Sequence, residues 1–184
     1  MFHHVVSFRR SLVLILCTIL FLETQADSDI CKICTCYSLT TSVNCANRNL
    51  QSIPQPIPTN VEYLYLSYNK ISRIEKEMFQ GLHNLEKLVL GTNNIATIKE
   101  GAFTGLSNLN YLYLSYNKIS RIEKEIFQGL HNLEKLVLGA NNIATIKEGA
   151  FTGLSNLNYL YLSYNKISRI EKEMFQGLHN LEKL

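Results

Sequence analysis

The sequence predicts a repeat solenoid in which successive coils lie side by side and pair their strands into one parallel sheet. Three observations lead there. From Asn60 the chain repeats every 24 residues, with unit starts at Asn60, Asn84, Asn108, Asn132, Asn156 and Asn180. Within each unit leucines alternate with other residues, as at Leu64 and Leu66, the period-two signature of a strand that buries one face. Ahead of the repeats stands a segment with four closely spaced cysteines. Composition agrees with an ordered chain: of 184 residues, 46% are apolar and 18% charged. The net charge of +3 is interspersed rather than blocked, which gives no sign of a nucleic-acid partner.

Residues 1–26 predict a secretory signal peptide. His3, His4, Arg9 and Arg10 precede the apolar run Leu12 to Leu22, and Thr24-Gln25-Ala26 follows it. The run is 11 residues long, while a membrane helix needs roughly 20. Cleavage after Ala26 leaves 16 basic and 14 acidic side chains, a net charge of +2, and removes Cys17. Cys31, Cys34, Cys36 and Cys45 then enter an oxidising compartment and read as two disulfides. Three pairings are open to them, of which one, with Cys34 bonded to Cys36, would be badly strained. A four-cysteine zinc site is the rival reading of Cys31-x-x-Cys34, and it is disfavoured by secretion and by the single Cys-x-x-Cys. No later segment is apolar for long enough to span a bilayer, and no N-x-S/T glycosylation signal occurs.

Residues 27–59 form a distinct segment, in which the cysteines are followed by Leu50, Ile53, Pro54, Pro56, Ile57 and Pro58. A first repeat would otherwise expose an unpaired strand edge, so a cap is needed there. All three prolines of the chain fall in this segment, as suits an edge that wants few free N–H donors. Residues 60–184 hold five complete units and the stub Asn180 to Leu184. Alternate units match best: 60–107 and 108–155 differ only at Val61/Leu109, Glu62/Asn110, Met78/Ile126 and Thr92/Ala140. Asn69, Asn93, Asn117, Asn141 and Asn165 recur where each strand ends, and their core neighbours predict an inward ladder that satisfies buried backbone groups. Phe79, Phe103, Phe127, Phe151 and Phe175 predict a second column behind the sheet.

The frame L-x-x-L-x-L-x-x-N-x-I, seen at Leu85, Leu88, Leu90, Asn93 and Ile95 and completed by Ile98, Phe103, Gly105 and Leu106, resembles the leucine-rich repeat family in its 24-residue extracellular form. The cysteine segment resembles that family's N-terminal cap. The resemblance implies an α/β-type curved horseshoe, with its parallel sheet on the concave face and irregular or 3-10 segments on the convex side. It also implies the pairing Cys31–Cys36 and Cys34–Cys45. Signal, cap and repeats together are similar to variable lymphocyte receptors, Slit, and the ectodomains of Toll-like and Nogo receptors. Those proteins bind proteins, glycans or lipids through the concave face, which implies a secreted or extracellular recognition module here. They also carry a C-terminal cysteine cap, whereas this sequence stops at Leu184 in mid-strand. That implies a part of a longer protein, held at the cell surface if an anchor follows, or self-association through the uncapped end.

On such a horseshoe the residues between the strand leucines face outward. One file is Tyr63, Lys87, Tyr111, Lys135, Tyr159 and Lys183; the next is Tyr65, Val89, Tyr113, Val137 and Tyr161; a third, at the strand exit, is Tyr68, Thr92, Tyr116, Ala140 and Tyr164. Nine of the ten tyrosines thus occupy one face, and only Tyr37 lies elsewhere. Tyrosine gives large amphipathic contact area at low rotamer cost, so these files, without Thr92, Ala140 and Lys183, are the expected protein-binding surface. An alternative is a structural matrix or adhesion protein resembling small leucine-rich proteoglycans. No catalytic constellation is expected: the repeats contain no Asp or Cys, and His83, His131 and His179 recur at 48-residue spacing as exposed loop ends. No metal, cofactor or phosphate-cradling loop is expected either.

Overall fold

A computed structural model describes residues 30–171 and 173–184. The expected signal peptide lies outside these residues. A single coil of this sequence has one apolar face and nothing of its own to cover it, so each coil is completed by its neighbours. The strands are β1 (Thr35–Tyr37), β2 (Ser42–Asn44), β3 (Tyr63–Tyr65), β4 (Arg73–Ile74), β5 (Lys87–Val89), β6 (Thr97–Ile98), β7 (Tyr111–Tyr113), β8 (Arg121–Ile122), β9 (Lys135–Val137), β10 (Thr145–Ile146) and β11 (Tyr159–Tyr161). Seven form one sheet in the order β1-β2-β3-β5-β7-β9-β11. All its pairings are parallel except β1 with β2. Among the described residues helix is limited to one turn at 30–33, so the architecture is a β-solenoid.

The register shifts by one repeat per strand, which puts Leu64, Leu88, Leu112, Leu136 and Leu160 in a straight file, all fully buried. Behind them the rings of Phe79, Phe103, Phe127, Phe151 and Phe175 stack nearly parallel, with centroids 6.0–6.1 Å apart. Paired strands are about 4.8 Å apart, so the back wall is longer per coil than the sheet. That difference bends the solenoid and makes the sheet face concave. After each phenylalanine the chain must turn sharply; Gly105, with φ 92°, takes a conformation that suits glycine.

Asn93, Asn117 and Asn141 form the inward ladder. Asn117 Nδ2 donates to the carbonyls of Leu90 and Leu114, and its Oδ1 accepts from the Ile95 N–H. Asn69 makes the joint with the cap, accepting from the N–H groups of Arg48 and Leu50.

In the cap Cys31 is bonded to Cys36 and Cys34 to Cys45. The prolines do not serve as expected. They lie at 54–58, in the connection from β2 to β3, and the sheet edge is instead closed by β1, a short strand turned antiparallel onto β2 and tied by Cys36. The convex side also differs in detail. The Arg73 to Glu77 run starts with strand β4, which pairs with β6; β8 pairs with β10 in the same way.

Candidate ligand-binding face

Each repeat strand of the main sheet alternates half-buried, buried, half-buried, so its first and third side chains stand on the concave face. Strand pairing brings Tyr63, Lys87, Tyr111, Lys135 and Tyr159 into one file, and an isolated bridge adds Lys183. Tyr65, Val89, Tyr113, Val137 and Tyr161 form the file beside it.

The two files interlock. Lys87 Nζ lies 5.7 Å from the Tyr65 ring centroid and 5.5 Å from that of Tyr113. Lys135 Nζ lies 5.9 Å from Tyr113, 6.0 Å from Tyr159 and 5.2 Å from Tyr161, and Lys183 Nζ lies 5.7 Å from Tyr161. Lys87 and Lys135 thus each have a ring of the second file on either side, and Lys183 has one. Such contacts contribute about 0.5–1 kcal/mol each at exposed sites.

A third file completes the face and was missed from sequence. The hydroxyl of Tyr63 donates to Glu86 Oε2 at 3.0 Å, that of Tyr111 to Glu134 at 3.3 Å, and that of Tyr159 to Glu182 at 3.1 Å. These carboxylates hold the phenols protonated. The pKa of Tyr63 is raised chiefly by its hydrogen bond to Glu86, that of Tyr111 by the charge of Glu134, and that of Tyr159 by its hydrogen bond to Glu182. The available signal was the Glu that precedes each Lys of the file, at Glu86, Glu134 and Glu182.

The exit file stands apart. Tyr68, Thr92, Tyr116, Ala140 and Tyr164 all have φ between 54° and 58°, a left-handed backbone that side chains rarely adopt. It lets the chain leave the strand at once and turn the next residue, the ladder asparagine, inward. The tyrosines here are 65%, 67% and 88% exposed. Tyr37, expected elsewhere, instead lies opposite Ser42, which is itself opposite Tyr63, so strand pairing continues the first file onto β1. The histidines are more engaged than loop ends need be, since His83 Nδ1 lies 3.0 Å from the Gly105 carbonyl and His131 Nδ1 lies 3.4 Å from that of Gly153.

The leucine rich repeat family model matches residues 41–95, 83–143 and 131–184. Epiphycan of Gallus gallus is 41% identical over 87 residues, which cover 47% of this chain and 27% of that protein. Opticin of Homo sapiens is 42% identical over 73 residues, covering 40% of this chain and 21% of that one. Leucine-rich repeat-containing protein 3 of Bos taurus is 46% identical over 66 residues, covering 36% and 26%. The matches therefore span little more than a quarter of these relatives at most. A solved chain from the crystal structure of a TLR13–ssRNA13 complex superposes with a TM-score of 0.76 at 37% identity, over 81% of this chain and 22% of that one. Among the described residues no helix is long and apolar enough to cross a membrane.

Proposed function

Because the chain belongs to the leucine rich repeat family, we propose that it is an extracellular recognition module that binds a protein ligand through its concave tyrosine and lysine files. The observation that carries this reading is the interlocking of Tyr65, Tyr113 and Tyr161 with Lys87, Lys135 and Lys183. Rings held by their neighbours lose little freedom on binding, and preorganised aromatic anchors carry most of the energy in protein interfaces. The exit tyrosines add support: they are large, exposed and held on a strained backbone, which costs of order 1–3 kcal/mol per residue. Residues 1–26 serve this reading as the secretion signal and 27–59 as the cap. The two cap disulfides fit an oxidising compartment. The reading assigns the chain no catalytic step.

The test is a panel of purified extracellular domains probed with the parent chain and with a variant carrying Tyr111→Ala, Tyr113→Ala and Tyr159→Ala. Partners of the parent should be lost by the variant while its circular dichroism and melting remain those of a folded solenoid. A convex-face variant, Arg73→Ala with Arg121→Ala, should keep them. Partners that bind the tyrosine variant with unchanged affinity would refute the site.

A further inference from the structure

Resting on that reading, we propose the kind of protein segment the face takes: one polyproline II strand, laid along the solenoid axis across the β-strands, with an acidic side chain at every third residue. The argument begins with spacing. Tyr63, Lys87, Tyr111, Lys135, Tyr159 and Lys183 are paired in register, so lysines recur at every second strand. Two strand spacings are about 9.6 Å. A ligand that repeats its contacts along this face must repeat them at that distance.

Few backbone conformations do so. An extended β-strand returns a side chain to the same side every two residues, about 6.7 Å. An α-helix returns after seven residues, about 10.5 Å. Polyproline II returns after three residues, about 9.3 Å. From Lys87 to Lys183, two periods, the polyproline strand falls short by about 0.6 Å and the helix overshoots by about 1.8 Å. Curvature widens the preference. The Phe file at 6.0–6.1 Å marks the longer convex wall, so side-chain tips on the concave side stand closer together than their backbones. That shift moves the face toward the polyproline period and away from the helical one.

The chemistry follows the same period. Tyrosine-lined grooves suit proline rings, and a polyproline strand is already ordered before it binds. The file Tyr65, Val89, Tyr113, Val137, Tyr161 alternates large and small side chains at the two-strand interval. Lys87, Lys135 and Lys183 stand between the rings, and among the described residues no carboxylate forms an ion pair with them. Glu86, Glu134 and Glu182 accept phenolic hydrogen bonds on the flank instead. One anion per turn of ligand would therefore meet one ammonium that is held against the rings and pairs with no carboxylate among the described residues.

The experiment titrates the full chain with a ~12-residue peptide of Pro-Pro-Glu triplets, long enough at 3.1 Å per residue to pass all three lysines, and follows binding by calorimetry. An isomer with its glutamates gathered at one end, a Pro-Pro-Lys peptide and a heparin oligosaccharide are the comparison ligands. The triplet peptide should bind about tenfold more tightly than its isomer. Lys135→Glu should weaken it by about fivefold or more, the scale of one partly exposed ion pair. Equal binding of the isomer, no binding of the triplet peptide, or tighter binding of heparin would overturn the proposal. If those results came with panel partners that still depend on Tyr111, Tyr113 and Tyr159, the face would remain a protein site and only the segment would be wrong. If no partner depended on those tyrosines, the earlier reading would fall as well.

Discussion

Asn117→Ala tests how the coils are held together. Asn117 is 7% exposed, and it makes three strong bonds: Nδ2 to Leu90 O at 3.0 Å, Nδ2 to Leu114 O at 3.1 Å, and Oδ1 from Ile95 N at 2.9 Å. Their loss is unequal. Leu90 O also accepts from Asn93, and Leu114 O from Asn141, so both carbonyls keep a partner in the variant. The Ile95 N–H, on a fully buried residue, keeps none. Two redundant bonds at about 0.5–1 kcal/mol each and one orphaned donor at about 1–3 kcal/mol give an expected loss of about 3 kcal/mol. Urea unfolding followed by circular dichroism measures it, and the neighbouring Asn94→Ala, whose side chain makes no hydrogen bond, should stay within about 0.5 kcal/mol of the parent. Asn117→Asp adds a sign. It keeps the acceptor for Ile95 but aims a carboxylate at two carbonyls, which raises its folded pKa above the unfolded value of about 3.9. Its stability should therefore be best in acid and fall as pH rises through the folded pKa. An Asn117→Ala variant as stable as the Asn94→Ala control, or an Asp variant indifferent to pH, would sink the ladder argument.

Phe127 is fully buried between Phe103 and Phe151, and Phe127→Ala should cost about 3–5 kcal/mol in the same unfolding assay, with Phe127→Leu well below that. Replacing Cys34 and Cys45 by serine opens a loop of sequence separation 11, which should cost about 3 kcal/mol and lower the melting temperature. The phenols of Tyr63, Tyr111 and Tyr159 have raised pKa values, so their contribution to stability is complete below the unfolded value of about 10 and is lost as pH rises through the folded values. Absorbance at high pH should show three late-titrating phenols, and Glu134→Gln should return Tyr111 toward the ordinary range; a Tyr111 unmoved by that change would disprove its cause.

Most of the fold was legible because every coil repeats its own instructions. Leu64, Asn69 and Phe79 each have a role set by position within 24 residues, and stacking turns a recurring letter into a file. What escaped depends on which groups meet between coils. Tyr63 reaches Glu86, 23 residues on, along a diagonal that no single unit displays. The convex strand Arg73–Ile74 left no period-two pattern to read because only two residues pair, and their partner Thr97–Ile98 lies one coil away. The prolines misled for a similar reason: their number suited an edge, but their place in the β2–β3 connection follows from where the chain crosses the convex side.

The spacing of the concave face is set from beneath it. Leucine, asparagine and phenylalanine files fix the distance between coils, and none of them reaches the concave surface. The differences between residues 60–107 and 108–155 obey this division. Val61/Leu109 and Met78/Ile126 exchange apolar side chains, while Glu62/Asn110 and Thr92/Ala140 alter the flank and the exit turn. None touches the positions of Tyr63, Tyr65, Lys87 or Val89. A substitution on the face can thus change what is recognised without changing the interval at which it is recognised. The interval yields only to changes in the core, where Phe127→Ala would remove one spacer of the back wall and relax the curvature that draws the lysines together.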